Sequence, residues 1–285
     1  MINMEVTKNN KTILVIGGSG KNGSRVVRKL RELNYPTFST VRKGNTAQAD
    51  VRIFEWKDIS TWEAALTDID SIYIVHPDTS MPEAYTEIKE LTEKSVEMGV
   101  TRLVLLSGRG QQSVVECEDA IRNSGLKWTI VRSAWFNQNF TEGHFAAGIQ
   151  HGELTFMADK VKEPFVDLED LSDVIVQCLI DDKHDHHIYE VTGSTLYSFE
   201  EAVQIIGAAK GKPVRYIHAD ADNYYELLVK HGLPQDLATH MIGAFAEILD
   251  GRNANIGDGI EKVLGRPPVS FTTFVKNNFQ TDEGK

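Results

Sequence analysis

The stretch Ile16-Gly17-Gly18-Ser19-Gly20-Lys21-Asn22-Gly23 decides the fold of this chain. It follows the apolar residues 12–16 and precedes a segment with helical periodicity, so it is predicted to turn from a strand into a helix. Glycines at this spacing permit a sharp bend, a close backbone approach to a diphosphate and tight packing of the helix on the strand. The N–H groups at the helix start then face the anion. The dinucleotide-binding residues predicted from this stretch are Gly17, Ser19, Gly20, Lys21, Asn22 and Gly23.

Outward from this turn, short apolar runs alternate with helical patterns. Further strands are predicted at residues 37–41, 51–54, 71–75, 102–106 and 128–131. These runs are too apolar to face water, and alternating β and α elements form parallel sheets with helices on both faces. We therefore expect an α/β fold, a doubly wound parallel Rossmann-type sheet with a small, mostly helical C-terminal substrate lobe.

The domain organisation is predicted from the absence of a linker. No segment rich in proline, glycine or serine divides the chain, so residues 1–285 are interpreted as a single domain. Within it, residues 1–134 form the dinucleotide-binding core and residues 135–285 form mainly the substrate lobe, with residues 164–193 returning to the core.

Two capping-box patterns predict helix starts in this arrangement. Ser60 with Glu63 precedes a short helical segment, and Ser198 with Glu201 precedes a longer one that ends near residue 209.

Charge and cysteine content narrow the function classes. Thirty Lys and Arg residues against 41 Asp and Glu residues give a net charge of −11. The field of such a chain repels polyanions, which argues against nucleic acid or an anionic membrane surface as a partner. No apolar run reaches the roughly 18–20 residues of a membrane span, and the polar start is unlike a secretory signal. Cys117 and Cys178 fall in helical patterns, which predicts buried free thiols and a cytoplasmic location.

The end of the second strand, Thr40-Val41-Arg42-Lys43, indicates which nicotinamide coenzyme fits. A site that prefers NAD carries an acidic residue there for the ribose hydroxyls, whereas a guanidinium suits the 2′-phosphate of NADP. We therefore expect NADPH, held by Arg42 with help from Lys43 and Lys21, and keep NADH as the alternative. Asp58, after the third strand, is a further candidate for contact with the adenine.

Several stretches resemble the NmrA-like, atypical short-chain dehydrogenase/reductase family. They are residues 12–23, then Leu103-Val104-Leu105-Leu106-Ser107 and Trp135-Phe136-Asn137-Gln138-Asn139-Phe140, and finally Pro164-Phe165-Val166-Asp167-Leu168-Glu169-Asp170. Members of this family include reductases of quinones, azo dyes and ergot alkaloids, together with redox-sensing regulators that do not turn over.

The resemblance implies where the reactive groups lie. His76, Pro77 and Ser107 are expected at strand ends that flank the nicotinamide, and residues 133–140 are expected to border the substrate pocket. Ser107 and Asn137 are therefore the candidate catalytic residues, as hydrogen-bond donors to the substrate.

The proton donor of ordinary short-chain dehydrogenases is missing from its usual place. Those enzymes use Tyr-x-x-x-Lys on the helix after the fifth strand, but the pattern here, Tyr85 with Lys89, follows the fourth strand and is interpreted as a surface coincidence. Val114 stands where many relatives carry a basic residue four positions before the helix Glu118. We therefore expect a substrate that delocalises the arriving charge, such as a quinone, enone, imine or azo compound.

A histidine-rich run raises the question of a metal site. The run His184-Asp185-His186-His187 is expected in an exposed acidic turn without a second cluster of metal ligands, so no metal site is predicted.

The expected partner is a small-molecule substrate, and neither nucleic acid nor a membrane is expected as a partner. Whether the chain forms a homodimer is left open by the sequence.

Three functions fit the sequence, in decreasing order of support. The first is an NAD(P)H-dependent oxidoreductase that transfers hydride to an electron-poor small molecule. The second is a non-catalytic NAD(P)-binding redox sensor that acts through a protein partner. The third, a sugar-nucleotide epimerase, also needs the missing Tyr and Lys. The substrate, the proton donor and the oligomeric state are left open by the sequence.

Overall fold

The computed structural model describes residues 11–44 and 49–280 of the chain. The strands are β1 (Ile13–Val15), β2 (Thr37–Val41), β3 (Val51–Ile53), β4 (Ser71–Ile74), β5 (Arg102–Ser107), β6 (Lys127–Ser133), β7 (Glu153–Phe156), β8 (Lys162–Glu163), β9 (His187–Val191), β10 (Tyr197–Ser198) and β11 (Arg215–His218). The α-helices are α1 (Lys21–Glu32), α2 (Trp62–Leu66), α3 (Ala84–Glu97), α4 (Gln112–Arg122), α5 (Asn139–Glu142), α6 (Ala146–His151), α7 (Leu168–Ile180), α8 (Phe199–Ala209), α9 (Ala221–Lys230), α10 (Gln235–Ile248), α11 (Gly259–Leu264) and α12 (Phe271–Phe279). Over the described ranges, no helix is both long enough and apolar enough to cross a bilayer.

One seven-stranded sheet organises the chain, with the strand order β3-β2-β1-β4-β5-β6-β9. Strand β1 runs parallel to β2 on one side and to β4 on the other, so that Leu14 lies opposite Phe38 and Ile72. The order reverses at β1, where β2 and β3 extend to one side and β4, β5 and β6 to the other. This reversal defines a doubly wound sheet and confirms the predicted fold class.

The described residues divide into two compact units. The first comprises residues 11–44, 49–107, 115–131 and 172–189, and the second comprises residues 108–114, 132–171 and 190–280. The interpretation of residues 1–285 as a single domain stays a prediction.

The core of the first unit is aliphatic and follows the sheet. Leu14, Ile72 and Leu103 are neighbours in register on adjacent strands, and each has no exposed surface. Burying a side chain of this size contributes roughly 1.5–3 kcal/mol. The continuous apolar character of these strands, from which they were predicted, therefore follows from cover on both faces.

The core of the second unit is aromatic. Phe156 packs on Phe199 with ring centroids 4.8 Å apart, and Phe145 and Phe165 lie within 5.0 Å of Phe156 and Phe199 respectively. Two small sheets, β7 with β11 and β8 with β10, border this cluster. The sequence analysis did not identify β7, β8 or β10, because these short segments contain polar residues and lack the continuous apolar runs from which the strands of the large sheet were predicted.

One of the two predicted capping boxes is confirmed. Ser198 Oγ accepts from the Glu201 N–H at 3.1 Å, and Glu201 Oε2 accepts from the Ser198 N–H at 2.7 Å, at the start of α8. The other is wrong. The side chain of Asp58 accepts from the Ser60 N–H at 3.2 Å, so Asp58 caps a short 3₁₀ helix that contains Ser60. A carboxylate two residues upstream displaced the predicted serine cap.

Both cysteines are buried and unpaired, as predicted. Burial raises the pKa of the Cys117 thiol to about 11, and it also raises the pKa of Cys178. Neither thiol therefore forms the nucleophilic thiolate at neutral pH.

The first residue of β5, Arg102, is a buried arginine. The side chain of Arg102 is 2% exposed and donates to the Leu179 carbonyl at 2.9 Å and to Asp182 at 2.7 Å. Lys127 also bonds Asp182, at 2.8 Å. Hydrogen bonds from Lys127 and Arg102 hold the pKa of the Asp182 carboxyl well below its usual range. A charge as buried as that of Arg102 is tolerated because these partners compensate for its lost hydration.

Replacing this arginine should therefore destabilise the first unit. We expect Arg102→Met to lower the free energy of unfolding by about 1–3 kcal/mol, since it leaves the buried Leu179 carbonyl without its donor and removes an ion-pair partner of Asp185, whose side chain is 13% exposed. The matched control is Arg28→Met, which removes an exposed ion pair with Glu32 and should change stability by less than about 1 kcal/mol. Denaturant unfolding of both variants checks this, and equal effects would contradict the structural role of Arg102.

Candidate functional site

The turn between β1 and α1 is built from backbone hydrogen bonds. The Gly17 N–H donates to Thr40 Oγ1 at 3.1 Å, and the Gly20 N–H donates to the Gly17 carbonyl at 2.9 Å. Gly17 has φ +77°, a left-handed conformation that favours glycine. The first helical bond of α1 runs from the Ser24 N–H to the Gly20 carbonyl. The N–H groups of Lys21 and the next two residues therefore precede the intrahelical ladder and mark the anion-binding end of the helix.

Close packing leaves no room for a β-carbon at two positions of this turn. A β-carbon on Gly23 would lie 2.2 Å from the Gly17 carbonyl oxygen, and one on Gly18 would lie 2.5 Å from the Ser39 β-carbon. Ser19 and Gly20 are exposed at the tip of the turn. The helix start is thus held against the end of β1, and the backbone at the tip of the turn is exposed.

The predicted residue Asn22 anchors the first turn of α1 to β4. Its Nδ2 donates to the Tyr73 hydroxyl at 2.6 Å, and both side chains are buried. Its Oδ1 is buried and has no hydrogen-bond partner among the residues that the structure describes. The side-chain nitrogen of Asn22 is therefore committed to the fold, and its backbone N–H is the group that belongs to the anion-binding turn.

The predicted basic end of β2 is partly neutralised within the first unit. Lys43 forms an ion pair with Asp58, and the Lys43 N–H donates to Glu55 at 2.7 Å. The hydrogen bond from Lys43 is the main reason that the pKa of Asp58 is lowered. Arg42 is exposed beside them. The structure thus pairs Lys43 with Asp58, whereas the sequence analysis predicted that Lys43 contacts the 2′-phosphate and Asp58 the adenine of the coenzyme.

At the end of β4, both ring nitrogens of His76 are engaged. Nδ1 accepts from the Asp78 N–H at 3.2 Å, so the ring proton lies on Nε2, which is 2.7 Å from Glu87. The imidazole also packs edge-on against Trp56 with centroids 4.7 Å apart. His76 fixes the conformation of the loop that contains Pro77, and this loop follows the strand as predicted.

At the end of β5, the Ser107 hydroxyl points at a buried carboxyl. It donates to Glu118 Oε1 at 2.6 Å, and Glu118 has no exposed surface. This bond uses the hydroxyl proton, so the remaining capacity of Ser107 is that of a hydrogen-bond acceptor. Its predicted role as a donor to the substrate stays a prediction that this geometry does not favour.

The second unit contains a cavity of about 210 Å³. Its lining comes from the loop before α4, from the segment after β6, from β8 and from the C-terminal part of the chain. The lining residues are Gly108, Arg109, Gln111, Ser133, Ala134, Trp135, Phe136, Asn139, Glu163, Ile248 and Asn253.

The aromatic wall of this cavity is held from behind by other rings. Trp135 packs on Phe145, Phe199 and Phe245 with centroid distances of 6.1, 5.4 and 5.6 Å. Because these contacts fix the indole plane, Trp135 presents a rigid apolar surface to a ligand.

Arg109 donates several hydrogen bonds at the wall of the cavity. It is 6% exposed and donates to Glu190 at 2.9 and 3.1 Å, to the Asn253 carbonyl at 3.3 Å and to Asn255 at 2.9 and 3.1 Å. These bonds tie the loop after β5 to β9 and to the C-terminal segment. The guanidinium therefore organises the cavity wall and is already neutralised by Glu190.

Glu163, which the sequence analysis did not select, is the other ionisable residue of the lining. It is 1% exposed, and its Oε1 has no hydrogen-bond partner among the described residues. Burial raises its pKa to about 7, and the positive charge of Arg109 opposes that rise. No sequence signal marks Glu163, because adjacent lysine and glutamate residues are typical of a solvated charge pair.

The predicted catalytic residue Asn137 is completely buried in the second unit. Its backbone N–H donates to the Val166 carbonyl at 2.8 Å, but neither atom of its side-chain amide has a partner within the described ranges. A buried amide without partners costs roughly 1–3 kcal/mol, which favours a site for water or a ligand beside it. Asn137 and Ser107 belong to different units, and their joint catalytic role stays a prediction.

Comparison with known proteins establishes the family. The model of the NmrA-like family matches residues 112–274. An uncharacterized oxidoreductase, YesF of Bacillus subtilis, is 32% identical over 274 residues, which cover 92% of this chain and 93% of that protein. The chain belongs to the NmrA-like family. This confirms the resemblance found in the sequence.

Two further relatives extend the comparison. The NAD(P)H azoreductase of Xenophilus azovorans is 29% identical and is matched over 93% of this NmrA-like chain and 96% of its own length. The crystal structure of Citrobacter sp. triphenylmethane reductase complexed with NADP(H) superimposes with a TM-score of 0.78 at 18% identity, covering 94% of this chain and 99% of that one. At that identity the superposition shows a shared fold.

Two remaining sequence predictions can be placed in this NmrA-like fold. Tyr85 and Lys89 lie on α3, the helix after β4, where Tyr85 is 41% exposed and Lys89 faces Glu93, in agreement with a surface position. His184 was expected in an exposed turn, and this was wrong. It is 2% exposed and its Nδ1 lies 2.9 Å from the Tyr189 hydroxyl. Packing on Tyr189 overrode the polarity of the surrounding sequence.

The glycine packing gives a test of the turn. We expect Gly23→Ala to lower the free energy of unfolding by about 1–3 kcal/mol, because the added methyl group meets a backbone carbonyl that cannot rotate away. Gly243→Ala in α10 is the control, since nothing lies within 4 Å of its β-carbon position and alanine should stabilise the helix by roughly 0.5–1 kcal/mol. Thermal unfolding measures both changes, and a Gly23 variant as stable as the wild type would refute the close packing.

The raised pKa of Glu163 predicts a pH-dependent effect on stability. Between the ordinary glutamate value of 4.5 and about 7, the unfolded chain loses this proton while the folded chain keeps it, so the burial of Glu163 destabilises the fold as pH rises. We expect Glu163→Gln to gain stability over the wild type as pH rises from 5 to 8, by up to about 3 kcal/mol. Glu226→Gln, at an exposed position of α9, should show no such trend. Denaturant unfolding at several pH values decides, and a constant difference would contradict the raised pKa.

Proposed function

We propose that this chain is an NAD(P)H-dependent reductase that transfers hydride to an electron-poor small molecule of the quinone, enone, imine or azo type. The observation that carries the proposal is the glycine turn before α1, where missing β-carbons and the exposed helix start fit a diphosphate. The name of the Xenophilus azovorans relative and the NADP(H) complex of the Citrobacter sp. structure support the same chemistry.

In this proposal the backbone holds the diphosphate. The N–H groups of Lys21, Asn22 and Gly23 lie at the positive end of the α1 dipole, and the exposed Ser19 and Gly20 border them. When bound, the reduced nicotinamide supplies a hydride. The resemblance to the family leads us to expect His76 and Ser107 beside the nicotinamide. His76 fixes the conformation of its loop through Glu87 and Asp78. The Ser107 oxygen can accept a hydrogen bond from the amide N–H of the nicotinamide, because its own proton is donated to Glu118.

For the coenzyme we propose a preference for NADPH. Arg42 follows β2 and is exposed, and a guanidinium fork matches the geometry of a phosphate. Lys43 contributes less to this preference than the sequence suggested, because Asp58 already pairs with it.

For the substrate we propose a planar and uncharged acceptor. Trp135 and Phe136 give the cavity of the second unit flat apolar surfaces, and its volume of about 210 Å³ suits a small ring system. Arg109 is already paired with Glu190, so the cavity offers little attraction to an anionic substrate.

Turnover separates this proposal from the rival redox sensor. We expect loss of NADPH absorbance when the purified protein is mixed with NADPH and a panel of small quinones and azo dyes. Tight NADPH binding without oxidation by any of them would favour the sensor, and no binding of either nicotinamide nucleotide would refute both.

The coenzyme preference has its own test. Arg42→Ala should weaken NADPH binding by about 10- to 100-fold, because a charge-assisted contact contributes roughly 1.5–3 kcal/mol, and should leave NADH binding nearly unchanged. Isothermal titration calorimetry measures both affinities. Arg28→Ala, on the exposed side of α1, is the control and should affect neither. Equal losses for NADPH and NADH in the Arg42 variant would contradict the assignment.

A further inference from the structure

The sequence offers no proton donor at the usual place for this fold, and the cavity of the second unit contains an unused acid. Of the residues that line it, two are ionisable, Arg109 and Glu163. Arg109 already donates to Glu190 and Asn255, and a guanidinium does not give up a proton at neutral pH. Among the described residues that line this cavity, Glu163 is therefore the side chain that can give a proton to a ligand.

The backbone of Glu163 is held in place. Glu163 pairs with Tyr197 across the β8–β10 ladder, and the following Pro164 accepts a hydrogen bond from the Gly193 N–H at 2.9 Å. Its side chain is 1% exposed, and Oε1 lacks a hydrogen-bond partner among the described residues. A buried carboxyl that no protein group satisfies is favoured only when it is neutral or when a ligand completes its hydrogen bonds.

We propose that Glu163 is the proton donor to the acceptor that binds in this cavity, an inference that rests on the proposed reductase function. The ligand class follows from the donor. It is an uncharged conjugated acceptor with a carbonyl oxygen or azo nitrogen, whose flat face packs on Trp135 and whose heteroatom accepts from the Glu163 carboxyl.

The step balances as a two-electron reduction. As the acceptor takes up hydride, electron density moves to its oxygen or nitrogen, the O–H bond of the Glu163 carboxylic acid breaks, and a new O–H or N–H bond forms on the acceptor. Glu163 is left as a carboxylate and takes a proton from water before the next turnover. A quinone thus becomes a hydroquinone, with one hydride from the reduced coenzyme and one proton from Glu163.

The surroundings of Glu163 suit this cycle at neutral pH. Burial raises its pKa to about 7, so the acid and the carboxylate are both accessible there. The charged and titratable groups near it are Arg109, which is paired with Glu190, and Tyr197 on β10. Lys162 is engaged with Glu201 at 3.0 Å. The cation of Arg109 stabilises the carboxylate that forms and partly opposes the rise in the pKa of Glu163 that burial causes.

The kinetic experiment uses the full chain, NADPH and a small quinone. The wild-type kcat/KM should fall as pH rises through about 7, because Glu163 loses its proton there. Glu163→Gln should lower kcat/KM at pH 6 by about 100-fold and remove this pH dependence, whereas Glu163→Asp should recover part of the activity with a pH dependence. Glu226→Gln, exposed on α9, should behave as the wild type.

A second acceptor separates proton transfer from structural damage. A planar N-methylacridinium cation becomes neutral on taking up hydride alone, so it needs no proton from the protein. Glu163→Gln should therefore reduce this cation with kcat within about threefold of the wild type while kcat/KM for the quinone falls by about 100-fold. Equal losses with both acceptors would overturn the assignment of Glu163 as proton donor.

A third readout needs no coenzyme. The infrared band of a protonated carboxyl should titrate near pH 7 in the wild type and be missing from the spectrum of Glu163→Gln. Absence of this band from the wild type, or unchanged quinone kinetics in the variant, would overturn this inference and leave the reductase function standing. If none of the tested acceptors leads to oxidation of NADPH by the wild type, the proposed function fails, and the role of Glu163 fails with it.

Discussion

The approach of helix α1 to the Gly17 carbonyl is the constraint on which the proposed coenzyme-binding turn depends. Gly23 meets that oxygen at a distance that excludes any β-carbon, and Asn22 ties the same turn to Tyr73 on β4. Together these contacts place the first N–H groups of α1 at the end of β1, where they act as fixed donors. A helix start that moved away by the width of a methyl group would lose this preorganisation.

Local geometry prevails over net charge in this protein. The chain carries a charge of −11, yet the end of β2 and the start of α1 present Arg42 and a helix dipole to an anion. Lys43 adds little positive charge beside Arg42, because it forms an ion pair with Asp58. In the proposed function, the attraction for a phosphate comes from a few oriented groups whose effect is strong only at short range.

The two ionisable residues that line the cavity of the second unit, Arg109 and Glu163, are both buried but differ in their hydrogen-bond partners. Arg109 is paired with Glu190 and donates to carbonyl oxygens, so it stabilises the wall of the cavity. Glu163 is buried, and among the described residues its Oε1 has no hydrogen-bond partner, so burial raises its pKa although the charge of Arg109 opposes the rise. A site that is expensive for the fold is thus well suited to proton exchange, since small changes in its surroundings shift the balance between acid and carboxylate.

The sequence by itself determined the doubly wound sheet, the glycine turn and the family, because strand apolarity and glycine spacing are local properties that hold whatever the rest of the chain does. It also identified Ser198 with Glu201 as a helix cap, which needs only neighbouring residues. Tertiary structure alone decided the pairing of Lys43 with Asp58 and the burial of Glu163. Both depend on segments that are distant in sequence, and the protonation of a carboxyl depends on how much water and charge the folded chain leaves around it.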